Sequence, residues 1–224
     1  MAMNLSDGEE VVLDLHPHWG RLFLPVLVLL LACLLAGFGV ALIPKGGGQQ
    51  IERWILIAIA GIYRPYVLDT AISFEETPPT AADFEARMLA TPRLPWLVAV
   101  REGAVVGYCY ASLHKTRASY RWSADVSVYV APSERGRGVG RLLYGSLLPL
   151  VRDLGYVSVF AGITLPNDAS VGFHEVFGLT PVGVFRNVGF KHKKWRDVGW
   201  WQLTFTDPPD QPAEPRGWMP PDLT

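Results

Sequence analysis

A strand, a glycine-rich turn and a helix follow one another between Asp125 and Leu148, and this order constrains the fold more than any other feature of the chain. Three valines alternate with a serine and a tyrosine over residues 126–130, which is the periodicity of a β-strand. Pro132 ends the predicted strand because it has no backbone N–H for a ladder hydrogen bond. Beyond the turn, leucines recur at helical spacing as far as Val151 and predict a helix with one apolar face.

The turn has the composition of an anion-binding site. It reads Arg135-Gly136-Arg137-Gly138-Val139-Gly140 and is followed by Arg141. The N–H groups of a first helical turn lack internal partners, and the helix dipole adds partial positive charge there. Glycines let the backbone approach a phosphate closely, and the arginines add full charges. The turn therefore indicates a pyrophosphate cradle, with an ordinary strand–helix connection and solvated arginines as the alternative.

This stretch resembles motif A of the GNAT superfamily of N-acetyltransferases, Arg/Gln-x-x-Gly-x-Gly/Ala. The resemblance implies an α/β (α+β) fold with a mixed, mostly antiparallel central sheet flanked by helices, and acetyl-CoA as co-substrate. It also implies two sets of cofactor-binding residues. The backbone of Val128, Tyr129 and Val130 would hold the acetyl and pantetheine end, and the phosphates would lie against Arg135, Gly136, Arg137, Gly138, Val139, Gly140 and Arg141.

Further motifs narrow the resemblance to the phosphinothricin (methionine sulfoximine) acetyltransferase group. They are Ile62-Tyr63, Thr70-Ala71-Ile72-Ser73-Phe74-Glu75, Pro95-Trp96-Leu97-Val98-Ala99, the run from Leu165 to Glu175 and the run from Gly189 to Gln202. The group implies direct acetyl transfer in a ternary complex to the amine of a small amino-acid-like substrate, and a homodimer. Two rival functions remain open: a membrane-anchored, catalytically impaired fusion that only binds acetyl-CoA, and an acetyltransferase for a protein N-terminus. A polyamine acceptor is disfavoured because the basic loop 114–121 would repel it.

Acyl transfer to an amine requires a base, because free amines are mostly protonated near neutral pH. Asp125 stands where the resembling group carries a glutamate, and we predict that it acts as the base, directly or through water. His174 stands where that group has a histidine and many GNAT enzymes have the tyrosine that protonates coenzyme A, so we predict an acid there. A surface carboxylate at Asp125 and a hydrogen-bonded helix histidine at His174 are the alternatives. The thioester oxygen would be stabilised by a backbone N–H of the strand that contains Val128.

The resemblance also implies residues that bind the acceptor. Lys115, Arg117 and Tyr120 correspond to a substrate-capturing Lys-x-Arg-x-x-Tyr near the dimer interface, and Phe74 to an aromatic wall; a solvated loop and a core phenylalanine are the alternatives. Asn167 is placed to begin a helix and to hydrogen-bond the pantetheine arm.

The N-terminal part of the chain has a different character from the rest. Residues 1–21 form a polar leader, and the run Leu22–Ile43 contains no charged residue, so we assign 22–44 as a transmembrane helix ahead of the catalytic domain. A secretory signal or an internal helix is the alternative. Residues 45–53 are predicted as a flexible linker, 54–206 as the acetyltransferase domain, and the proline-rich tail 207–224 as extended or mobile. We expect the domain to lie in the cytoplasm, with anchoring to the cytoplasmic membrane left open.

Local signals predict several elements of the domain and one missing strand. Thr80 caps a helix that runs to about Met88, and strands are predicted over 97–101, 104–113, 157–163, 182–186 and 200–205. We find no strand between Lys45 and Trp54, where the resembling family begins its sheet, so an edge strand would be missing or borrowed. The net charge of −1 implies no nucleic-acid partner, and the isolated Cys33 and Cys109 imply neither a disulfide nor a metal site.

Overall fold

The computed structural model describes residues 3–5, 9–12 and 47–218, with side chains from Arg53 onward. Its strands are β1 (Met3–Leu5), β2 (Glu9–Val12), β3 (Trp96–Arg101), β4 (Ala104–Leu113), β5 (Ser123–Val130), β6 (Ser158–Leu165), β7 (Thr180–Lys191) and β8 (Lys194–Thr204). Its helices are α1 (Gly47–Leu68), α2 (Ala81–Met88), α3 (Val139–Asp153) and α4 (Asp168–Val176), with 3-10 turns at Ala118–Tyr120 and Pro132–Glu134.

The described strands form one sheet in the order β1-β2-β3-β4-β5-β6-β8-β7. The β5–β6 pair is parallel and the other neighbouring pairs are antiparallel. This arrangement confirms the predicted GNAT-type sheet, mixed and mostly antiparallel. Its one parallel pair is the place where the two strands separate, which positions the site described below.

Helices cover both faces of the sheet. On one face, α3 buries Leu143, Leu147 and Val151, which recur every four residues and so lie on one side of the helix. On the other face, α1 and α2 pack an aromatic-rich core that includes Phe84 and Tyr108. Helix α2 begins as predicted: Thr80 accepts a hydrogen bond from the Asp83 N–H, and the Asp83 carboxylate accepts one from the Thr80 N–H.

The N-terminal segments differ from the sequence prediction in two respects. The edge strand that we expected to be missing is supplied by the leader, because β2 pairs with β3 from Glu9 opposite Arg101 to Val12 opposite Val98. The predicted linker 45–53 is helical from Gly47, so α1 begins well before the predicted domain start at residue 54. The apolar helix predicted at 22–44 lies outside the described residues. Within the part of the chain that is described, no helix is both long and apolar enough to cross a membrane.

The C-terminal segments also depart from the prediction. Strands β7 and β8 form one long hairpin rather than the short strands 182–186 and 200–205, and their tight turn has His192 and Lys193 at φ of 51° and 59°. The tail is extended but packed against the domain as far as Trp218. The backbone N–H of Trp218 donates to the Arg93 carbonyl at 2.8 Å. Trp122, in the turn directly before β5, donates from Nε1 to the Ala213 carbonyl at 2.7 Å and holds this segment in place.

Candidate functional site

The central feature of the site is a cleft that opens where β5 and β6 separate. The two strands pair only from Ser123 opposite Ser158 to Asp125 opposite Phe160. Both strands continue beyond this point, to Val130 and Leu165, without further pairing to each other. In an antiparallel ladder the backbone groups alternate in direction, so that alternate residues of β5 direct their N–H and C=O groups away from β4. Such groups lack a ladder partner in the cleft and can bind an extended ligand.

The three predicted β5 residues differ in how far their backbone is available. Val128 and Tyr129 line the cleft. The hydroxyl of Tyr66 donates to the Val130 carbonyl at 2.6 Å and lies 3.3 Å from the Val130 N–H. The backbone of Val130 is thus already occupied by Tyr66 of α1. Val128 lies two residues earlier and faces the same edge of β5, so its N–H is the one that a thioester oxygen would find free.

The glycine-rich turn forms the positive end of the cleft. Gly136 and Gly138 have φ of 76° and 85°, a conformation that disfavours other residues, and Gly138 is the N-cap of α3 without a side-chain cap hydrogen bond. The N–H groups of the first turn of α3 therefore remain available to an anion. A Cβ added at Gly140 would lie 3.1 Å from Phe173 Cε2, so the third glycine allows close packing of α3 on α4.

Arginines surround this turn at the surface. The guanidinium of Arg135 lies over the Tyr66 ring at 4.9 Å, and Arg137 forms an ion pair of 3.6 Å with Glu134. Arg141, the third residue of α3, is exposed, whereas Val139, its first residue, is buried. Cationic side chains, open N–H groups and flexible glycines thus meet at one end of the cleft, and these groups fit a pyrophosphate.

Asn167 combines both of its predicted positions. Its Oδ1 accepts a hydrogen bond of 3.2 Å from the Ser170 N–H at the start of α4, and the residue lines the cleft opposite β5. The oxygen of the side-chain amide therefore caps the helix. The Nδ2 group has no hydrogen-bond partner among the described residues and can donate to a ligand in the cleft.

His174 lies at the inner wall of the cleft, where both ring nitrogens are occupied. Nδ1–H donates to the Ser170 carbonyl at 2.7 Å, and Nε2 accepts from the Tyr144 hydroxyl at 3.0 Å. Burial lowers the pKa of His174 below its ordinary value, against a smaller effect of the Ser170 hydrogen bond. The imidazole is therefore held neutral, with a lone pair rather than a proton on Nε2. This geometry matches the alternative of a hydrogen-bonded helix histidine. His174 could act as a proton donor only if Tyr144 passed a proton through the imidazole ring.

Asp125 lies at the vertex where β5 and β6 separate, and its partner is His114. His114 Nδ1 lies 2.6 Å from Asp125 Oδ1. Burial raises the pKa of Asp125 above its ordinary value, and the hydrogen bond from His114 acts in the opposite direction. A carboxylate with a raised pKa is a better proton acceptor than an ordinary surface aspartate.

The predicted acceptor-binding residues are only partly brought together. Lys115 lines a cavity of about 210 Å³ together with His114 and Trp200, with its ammonium 5.8 Å from the centre of the Trp200 ring. The Tyr120 ring lies 6.2 Å from His114. Arg117 is exposed at the start of the 3-10 turn and does not line this cavity.

Phe74 lies on the loop after α1 and contacts the β7–β8 hairpin. A Cβ added at Gly189 would lie only 2.2 Å from Phe74 Cε2, so the ring packs directly on that glycine. Next to it, the Lys191 ammonium donates to the carbonyls of Val67, Ser73 and Glu75 at 2.7, 2.5 and 2.7 Å. The hairpin therefore fixes the loop that carries Phe74.

Three residues of the site were missed from the sequence. Tyr66 and Lys191 act through backbone groups far away in sequence, and no local pattern signals such contacts. His114 was assigned to the basic loop. It directly follows Leu113, the last residue of β4, which lies opposite Ala124 of β5. His114 is therefore diagonally across from Asp125. The antiparallel register of β4 and β5 brings this pair together, and the sequence analysis did not predict that pairing. Among the residues with described side chains, no group of three or more His, Cys, Asp or Glu residues is placed to hold a metal ion.

Known proteins share this fold and these motifs. The model of the acetyltransferase (GNAT) family matches residues 60–179. A phosphinothricin N-acetyltransferase of Streptomyces viridochromogenes is 38% identical over 162 residues, which cover 71% of this chain and 88% of that protein. An L-methionine sulfoximine/L-methionine sulfone acetyltransferase of Salmonella typhimurium is 34% identical over 150 residues, covering 65% of this chain and 86% of that protein. The crystal structure of a GNAT superfamily phosphinothricin acetyltransferase from Sinorhizobium meliloti in complex with AcCoA superposes with a TM-score of 0.66 at 33% identity, covering 71% of this chain and 91% of that chain.

Proposed function

Because the chain belongs to the acetyltransferase (GNAT) family and is an N-acetyltransferase, we propose that it transfers the acetyl group of acetyl-CoA directly to the amine of a small amino-acid-like substrate of the phosphinothricin or methionine sulfoximine type. The observation that carries the proposal is the cleft between β5 and β6, which ends in the glycine-rich turn at one side and in Asp125 at the other. The backbone groups of β5 beyond Asp125 are not paired with β6 and suit an extended thioester cofactor, and the Asp125 carboxylate lies where the two strands separate.

The residues present fit acetyl-CoA. The N–H groups at the start of α3 and the arginines around Gly136 and Gly138 would hold its pyrophosphate. The Asn167 amide and the free backbone edge at Val128 would hold the pantetheine arm and the thioester oxygen. When bound, acetyl-CoA supplies an acetyl group that is already activated as a thioester.

The chain's own residues then act on the acceptor. Lys115 attracts the carboxylate of an amino-acid-like substrate, and the Asp125 carboxylate serves the removal of a proton from the attacking amine. Binding both reactants to one chain converts a bimolecular step into an oriented one. The coenzyme A thiolate needs a proton as it leaves; the buried Tyr144–His174 pair at the cleft wall is the group we propose to supply it. His174→Ala then lowers turnover more than acetyl-CoA affinity, and unchanged turnover would exclude the pair from the step.

A direct transfer is supported by the state of the described cysteine. An acetyl-enzyme would need a nucleophile, but Cys109 is fully buried, burial raises the pKa of its thiol, and its Sγ lies 3.5 Å from the Leu143 carbonyl. Initial-velocity kinetics with both substrates varied should therefore give intersecting lines rather than the parallel lines of a ping-pong scheme.

The proposal is tested by release of coenzyme A from acetyl-CoA with four acceptors: phosphinothricin, methionine sulfoximine, spermidine and a peptide with a free N-terminal alanine. We expect turnover with the first two. Turnover with the peptide alone would instead support a protein N-terminus as acceptor, and acetyl-CoA binding without turnover on any acceptor would support a binding module. Sedimentation of the purified chain tests the accompanying proposal of a homodimer.

A further inference from the structure

His114 and Asp125 form a pair at the vertex of the cleft that resembles a base and the group that orients it. His114 Nδ1 lies 2.6 Å from Asp125 Oδ1, and the side chains are 14% and 29% exposed. A neutral histidine that donates from Nδ1 to a carboxylate keeps its lone pair on Nε2. The described residues include no hydrogen-bond partner for Nε2 of His114. The ring therefore has one nitrogen fixed by the carboxylate and one able to accept a proton.

The ring is held in a single orientation. It stacks on Phe160 with 4.3 Å between centroids and an interplanar angle of 17°, and it meets the Trp200 ring edge-on at 5.7 Å. His114 also lines the cavity of about 210 Å³ that it shares with Lys115. An amine whose carboxylate is paired with Lys115 would thus be bound in the cavity that the imidazole lines.

We propose that His114, through Nε2, is the group that accepts the proton of the attacking amine, and that Asp125 is the positioning residue that fixes its tautomer and stabilises the imidazolium. The inference rests on the proposed N-acetyltransferase function and names the proton acceptor within that site. In the step, the amine nitrogen forms a bond to the acetyl carbon and the C–S bond breaks. The amine proton moves to His114 Nε2, and the electron pair of the C–S bond leaves with the thiolate, which is then protonated.

Two features favour the imidazole over a direct attack by the carboxylate. The Asp125 oxygen that points to His114 is already engaged by the ring. The ring is held by Phe160 and lines the cavity, so its open Nε2 is placed to accept a proton, and a well-placed general base contributes roughly 10²- to 10⁴-fold to the rate.

The experiment compares His114→Asn with His114→Ala. The amide of asparagine can donate to Asp125 as Nδ1–H does, but it accepts no proton in place of Nε2. If His114 is the proton acceptor, both variants lose at least about 100-fold in kcat/KM, with acetyl-CoA affinity unchanged. In His114→Ala, added imidazole restores part of the activity and added pyrazole, a far weaker base of similar shape, does not. Near-full activity of His114→Asn would overturn the proposal and leave Asp125 as the base itself.

A readout without turnover checks the pair directly. Long-range ¹H–¹⁵N correlations of the histidine rings in the wild-type chain should show the His114 tautomer protonated at Nδ1, and Asp125→Ala should abolish that preference. His192→Asn, at the tip of the β7–β8 hairpin, serves as the control and should leave the His114 signals unchanged. A wild-type chain that acetylates none of the acceptors refutes the proposed function, and the inference with it; an active wild type whose His114 is protonated at Nε2 refutes the inference alone.

Discussion

Replacing Lys191 by methionine should loosen the contact between the β7–β8 hairpin and the loop that follows α1. The Lys191 ammonium donates to three backbone carbonyls, of Val67, Ser73 and Glu75, at 2.5–2.7 Å. Methionine has nearly the same length but no donor, so the three carbonyls lose their shared partner. The change therefore removes hydrogen bonds with little change in packing volume.

The magnitude follows from the number of bonds and their exposure. A hydrogen bond to a charged group contributes about 1.5–3 kcal/mol when it is shielded from water. Lys191 is only partly buried, so water can replace part of each bond, and burial of the ammonium lowers its pKa, which reflects a desolvation cost that methionine does not carry. We expect the free energy of unfolding to fall by about 2–3 kcal/mol, which is less than the ~4.5–9 kcal/mol that three fully shielded bonds would contribute together.

Urea unfolding followed by tryptophan fluorescence measures this change. Lys194→Met is the matched control, because Lys194 lies on the same hairpin, is exposed, and its ammonium has no hydrogen bond among the described residues. The control should stay within about 0.5 kcal/mol of the wild type. In the active enzyme, Lys191→Met should also raise the KM of the acceptor while leaving acetyl-CoA affinity unchanged, because the loop it holds carries Phe74. Equal stability of the two variants would refute the idea that Lys191 fixes the loop.

Three further predictions concern the cleft. Burial lowers the pKa of His174, so between the pKa of the folded state and about 6.5 the unfolded chain binds more protons than the folded one. The free energy of unfolding should therefore fall as the pH drops through that window, and His174→Gln should flatten this part of its pH profile. An unchanged slope in the variant would contradict a neutral, buried His174. Gly138→Ala forces a residue with a Cβ to φ 85° and should lower the free energy of unfolding by about 1–2 kcal/mol. It should also raise the Kd for acetyl-CoA, measured by calorimetry. Gly145→Ala inside α3 is the control: an added Cβ there meets nothing within 4 Å, so that Kd should stay unchanged. Tyr66→Phe frees the Val130 N–H and C=O and should alter kcat more than the Kd of acetyl-CoA, and identical kinetics would show that Val130 has no part in orienting the thioester.

The elements that could be predicted from the sequence are those with local signals. The strand–turn–helix of β5 and α3 is encoded by alternating valines, by glycines at positive φ and by a leucine face. Helix α2 was predicted from Thr80 as its N-cap, and the structure adds the reciprocal hydrogen bond to Asp83. Each of these signals acts within a few residues of the structure it determines, so a single sequence is sufficient to read it.

The elements that could not be predicted depend on partners far along the chain. Strand β2 is four residues long and exists through its pairing with β3. The β7–β8 hairpin is rich in charged residues around Lys191 and Arg196, so apolar alternation is lost although the ladder continues. His114 became part of the site only through the register that sets β4 against β5.

Mass spectrometry of the products that the full-length chain forms from phosphinothricin and acetyl-CoA labelled in the acetyl group distinguishes acetyl transfer from cofactor binding alone. We expect phosphinothricin carrying the label on its amine, formed at a rate that Asp125→Asn sharply reduces. Bound acetyl-CoA together with unmodified phosphinothricin and unmodified methionine sulfoximine would contradict it.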